Sequence, residues 1–122
     1  MVRWGGQHGN GRLMANYETT GVGSDCWDHS VTEMPQARWS CLEWHVDVDS
    51  NKMRFWVDGA ELRDIANDGM GEGCVSDGLN NQWIHPTELN ELRLGFDNYQ
   101  GGAAQTMIID DVALGTERIG CD

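Results

Sequence analysis

Residues 38–59, "RWSCLEWHVDVDSNKMRFWVDG", constrain this chain more than any other stretch. Ser40, Leu42, Trp44, Val46 and Val48 alternate with Trp39, Cys41, Glu43, His45 and Asp47. A side-chain period of two is the signature of a strand with two unlike faces. Met53, Phe55 and Val57 repeat the apolar phase after the polar turn "DSNK". The spacing predicts a β-hairpin of strands 38–48 and 53–58. Leu42, Trp44, Val46, Met53, Phe55 and Val57 form its core face. The opposite face carries Trp39, Glu43, His45, Arg54 and Trp56, where small polar residues would serve if it only met water.

The remaining pattern is of the same kind. Helical periodicity is scarce and glycine is frequent, 16 in 122 residues, so the chain reads as all-β. "RLMANYE" (12–18) reads as a strand and "TTGVGSDCWDHSVTEMPQA" (19–37) as a loop broken by glycines and Pro35. "DG" at 58–59 opens a second turn into a short edge strand over 60–65. Residues 66–90, rich in Gly, Asn and Asp, read as a long loop. Strands are predicted over 91–99, 106–114 and 117–121. In this register Leu92, Leu94 and Phe96 join the core, and Arg93, Asp97 and Tyr99 join the outer face. Six or seven antiparallel strands with long connections predict one domain over 1–122, an antiparallel β-sandwich or jelly roll.

Charge removes some partners. Eight basic residues face 20 acidic ones, a net of −12, and no basic stripe is present. Nucleic acid and anionic membrane are therefore poor partners. No apolar run is long enough to span a bilayer. "MVRWGGQHGNG" lacks the apolar region of a signal peptide, so a secreted protein with this start is a mature chain or an excised piece. The four cysteines, Cys26, Cys41, Cys74 and Cys121, favour an oxidising, extracellular location. Three pairings are possible; Cys26–Cys41 and Cys74–Cys121 are preferred here, the first as a local loop and the second as a pin for the long loop.

The outer face suggests a ligand. Indole rings stack on the C–H faces of sugars, while carboxylates and guanidinium groups bind hydroxyls. The candidate binding residues are Trp39, Glu43, His45, Arg54, Trp56, Arg93 and Tyr99. The competing reading is an amphipathic face covered by the 60–90 loop. Glycoside hydrolysis needs two carboxylates across a cleft; Glu43 and Asp47 share a face but lie roughly 13 Å apart at about 3.3 Å per residue, a poor arrangement. Cys26, His29, Cys41 and His45 have spacings short enough for zinc, but disulfides explain the same cysteines.

The set "RWSCLEWHVD", "MRFWVDG", "LRLGFDNYQ" and "IIDDVALGTERIGC" resembles a bacterial secreted group with the concanavalin A-like lectin/glucanase jelly roll. That group is similar to polysaccharide-lyase-like proteins, including fungal glucuronan-lyase-like ones. The resemblance runs from Leu13 onward, in a chain shorter than a typical lyase, which implies missing N-terminal strands. It implies two functions: polysaccharide binding, and β-elimination on a uronate-containing glycan. In the second, His45 would be base or neutraliser, Tyr99 the acid/base, and Arg54 or Arg93 the carboxylate partner. Glu43 stands where such lyases usually have glutamine. The resemblance also implies a structural calcium at Asp110 or Asp111, since one of two successive strand carboxylates faces inward at a cost unless it is paired or metal-bound. Asp110 capping a turn, or pairing with Arg118, is the alternative. A structural or assembly role, in which exposed tryptophans meet absent strands or another copy, is the third function considered.

Overall fold

A computed structural model describes residues 1–7, 9–19, 24–69, 83, 85–95, 101 and 103–121, with the side chains of residues 24 and 25 excepted. Two antiparallel sheets make up its regular structure. The first contains β1 (Val2–Gly6), β2 (Arg12–Thr19) and β3 (Ser24–Glu33), with β2 in the centre. The second contains β4 (Leu42–Asp47), β5 (Lys52–Val57) and β6 (Ala60–Glu61), followed by a 3₁₀ turn at Arg63–Ile65 and β7 (Asn67–Asp68). β6 and β7 pair with opposite ends of the same β5 edge.

Alternation explains why these segments meet. Leu13, Ala15 and Tyr17 of β2 are buried, as are Met53, Phe55 and Val57 of β5. Both rows enter one core with Ile65 and Trp83, and Val2, Trp4, Leu42 and Val46 pack on its margin. Trp4 stacks on Phe55 at 5.5 Å with planes 3° apart, joining β1 to β5. Tyr17 meets Trp83 edge-on at 5.4 Å. The buried Ser30 hydroxyl and the Val31 N–H both donate to Asp64, at 3.0 and 2.7 Å, which ties the 3₁₀ turn to β3.

The hairpin forms, with its second strand close to the predicted limits and its first shortened from 38–48 to Leu42–Asp47. Its turn is held by Asp47, whose Oδ1 accepts from the N–H groups of Asp49 at 3.0 Å and Ser50 at 3.1 Å. Asn51 closes it in the left-handed region, φ 57°, which asparagine tolerates. The turn at Asp58 and Gly59, with φ of 48° and 80°, has the two positive values that a two-residue hairpin turn needs.

Several expectations are corrected. Residues 24–33 are not loop but the edge strand β3, paired along β2 from Thr19↔Ser24 to Arg12↔Glu33 with a bulge near Arg12. An edge strand is flanked on one side only, so its polar composition is tolerated. The segment 60–65 is a two-residue strand and a 3₁₀ turn. No strand is assigned after Asp68 among the described residues, against the expectation for 91–99, 106–114 and 117–121. Leu92 and Leu94 are 40% and 44% exposed rather than core; Phe96 lies outside the described residues. Their alternation is real, but a strand also needs a neighbour to take its backbone hydrogen bonds. Trp44 is 40% exposed as well. It sits on β4, at the edge of its sheet, and its ring meets that of Trp4 at 6.0 Å. Cys41 bonds Cys121, with Cα atoms 5.7 Å apart, so neither preferred pairing holds. Cys26 is also disulfide-bonded.

Candidate functional site

Strand register assembles the outer face. Glu43 stands opposite Trp56, and His45 opposite Arg54. The parity read from the sequence therefore gathers four of its candidate residues on adjacent strands. Glu43 and Trp56 are partly buried, whereas His45 is exposed.

A segment distant in sequence covers this face. The Arg118 guanidinium donates to Glu43 Oε2 at 2.8 Å, and the Gly120 N–H donates to Glu43 Oε1 at 2.8 Å. The same guanidinium lies 4.6 Å from the centre of the Trp56 ring, a cation–π distance. The Cys41–Cys121 disulfide anchors the segment beside these contacts. Between the segment and the hairpin runs a cleft of about 190 Å³, lined by Glu43, Trp44, His45 and Trp56 on one side and by Asp111, Leu114, Glu117 and Arg118 on the other. Among the described residues, the cover over Glu43 and Trp56 is thus the C-terminal stretch, while Glu61, Asn67 and Asp68 hold Arg54.

Electrostatics follow from these contacts. The Arg118 guanidinium holds the Glu43 carboxyl below the ordinary glutamate range, and the Gly120 N–H adds to this against an opposing effect of burial. Arg54 is held by four partners. It meets Asp68 at 2.8 Å and Glu61 at 3.7 Å, and donates to the carbonyls of Met53 and Asn67 at 2.8 and 2.9 Å. Hydrogen bonding to Arg54 lowers the Asp68 pKa.

Other candidates lie elsewhere. Trp39 precedes β4, outside any strand, and is 67% exposed. Arg93 is exposed and pairs with Glu91 at 2.9 Å. Asp97 and Tyr99 lie outside the described residues. Asp110 and Asp111 are both exposed, and the Asp111 N–H donates to Asp110 Oδ1 at 2.9 Å. Calcium takes six to eight oxygen ligands. These two carboxylates belong to no set of three converging metal-binding side chains among the described residues; the one such set, Cys41, Glu43 and Cys121, includes the disulfide.

Arg118 is the residue that the sequence did not single out for this site. It is 75 positions from Glu43, and no periodicity links them. No pattern in the sequence marks the pair, and the cation that register brings nearest to Glu43 is Arg54, diagonally across the hairpin.

A family model described as Cip1-like, core domain, of the polysaccharide-lyase-like class, matches residues 12–117. No curated protein and no solved structure matches the chain.

Proposed function

The chain belongs to the Cip1-like, polysaccharide-lyase-like core-domain family, and on that premise we propose that it is an extracellular polysaccharide-binding domain of the concanavalin A-like jelly-roll type. The carrying observation is the cleft in which Trp56 stands beside Glu43, His45 and Arg118. An aromatic surface next to hydrogen-bonding groups of both signs suits a sugar ring and its hydroxyls. Disulfides at Cys26 and Cys41–Cys121 favour an oxidising compartment and so support secretion.

Trp39 and Arg93 are left out of the proposed contact surface, and Arg54 supports it as a strut rather than a ligand. Gel retardation in a panel of polysaccharides tests the reading. Trp56→Ala should weaken binding several-fold, because a stacked aromatic contact is worth about 0.5–1.5 kcal/mol beyond burial. Equal retardation of wild type and Trp56→Ala by every polymer that binds would remove Trp56 from the site.

A second reading, β-elimination on a uronate, is favoured by the family's polysaccharide-lyase-like description and by the exposed His45 in the cleft. It predicts ultraviolet absorbance from an unsaturated product, abolished in His45→Ala. An assembly role draws support from exposed Ile108 and Leu114, 70% and 78% accessible; sedimentation at rising concentration tests it.

A further inference from the structure

We propose that the glycan accepted by this cleft is electrically neutral, because each guanidinium reaching the face is already committed to a carboxylate of the same chain. The inference rests on the polysaccharide-binding reading and narrows its ligand class. A uronate-bearing polymer needs a cation with a free hydrogen-bonding edge, since paired donors recognise a carboxylate most strongly when both are unoccupied. Arg118 is already ion-paired with Glu43 through Nη2 at 2.8 Å, and its guanidinium carbon lies 4.6 Å from the centre of the Trp56 ring. Arg54, on the same hairpin face, divides its donors among Asp68, Glu61 and two main-chain carbonyls.

The local charge points the same way. The described cleft lining holds three carboxylates, Glu43, Asp111 and Glu117, against the single guanidinium of Arg118. A bound uronate would place a further negative charge among them, in a chain whose net charge is already −12. Like charges at such separations repel, and partial burial weakens the screening that salt provides. Glu43 cannot simply move aside, because Gly120 holds its second oxygen at 2.8 Å and the Cys41–Cys121 disulfide holds Gly120 in place. Hydroxyl groups meet no such obstacle: they donate to carboxylates and accept from guanidinium edges without adding charge.

The test is affinity electrophoresis of the intact protein, with a metal chelator present, in gels containing a neutral β-glucan, a neutral mannan, a polyglucuronate or an alginate. Retardation by a neutral polymer, unchanged by added salt, with none by the polyuronates, is the expected result. Retardation by a polyuronate as strong as by the neutral polymers overturns neutrality and leaves polysaccharide binding standing. Retardation by none of the four removes the binding reading and this inference with it. Glu43→Gln sharpens the test by freeing Arg118. It should create a salt-sensitive retardation by polyglucuronate, at least several-fold above wild type. Should that variant melt early, Glu117→Gln, an exposed change in the same cleft, serves instead with a smaller gain in the same direction. No gain in a folded variant means that ion pairing is not what excludes the uronate, and the inference fails.

Discussion

The β4–β5 hairpin and the segment after residue 103 both read as strands in the sequence, yet among the described residues only the first is a pair of strands. The hairpin finds its partner across a turn of four residues, and Met53, Phe55 and Val57 of β5 meet the core. The later segment includes Ile108, Ile109, Val112 and Leu114, all substantially exposed, and is attached chiefly through its last residues. The physical difference is the reach of the partner. A local turn closes at small entropic cost, whereas contacts across 75 to 80 residues close large loops and must be secured by specific bonds. Alternation states which face a strand prefers; it does not supply the neighbour.

The contrast breaks first at the core. Phe55→Ala should cost about 3–5 kcal/mol by chemical denaturation, as large aromatic truncations do. Leu114→Ala, at 78% exposure, should stay within about 0.5 kcal/mol, as surface changes usually do. A costly Leu114→Ala would mean that the segment is packed in solution and that the two regions are alike.

Removing the disulfide comes next. Cys41 and Cys121 close a separation of 80 residues, and replacing both by serine should lower stability by about 2–4 kcal/mol. Limited proteolysis should then cut within 104–120 before it cuts the hairpin. Simultaneous cleavage of the two would show that the segment is not tied down independently.

Acid should loosen the same junction by a smaller amount. Arg118 lowers the folded-state pKa of Glu43 below its ordinary value of 4.5. The stabilisation is therefore fully present above that value and is lost as pH falls through the lower folded-state value. Glu43→Gln should flatten this part of the acid limb of a stability–pH curve, and only slightly. The Arg118 side chain is 44% exposed, and exposed pairs contribute about 0.2–1 kcal/mol. An unchanged acid limb would assign it to other carboxylates, such as Asp58, which Arg38 and the Cys41 N–H hold low.

The smallest effect belongs to calcium at Asp110 or Asp111. With free ion equal to its dissociation constant, binding to the folded state adds about 0.4 kcal/mol. Melting curves in calcium and in chelator should separate by that margin. Coincident curves would end the proposal.

By itself, the sequence determined the all-β class, the hairpin, its two turns and the grouping of Glu43, His45, Arg54 and Trp56, because period-two alternation and turn chemistry act over neighbouring residues. The buried row Met53, Phe55 and Val57 was legible for the same reason. Tertiary structure alone decided that residues 24–33 pair with β2 despite their polar composition, and that Cys41 bonds Cys121. It also decided that Trp44 lies at a sheet edge and that Arg118 crosses 75 positions to neutralise Glu43. None of these leaves a periodic trace. Each depends on which distant segment arrives alongside, and an ion pair or a disulfide constrains two positions without marking the residues between them.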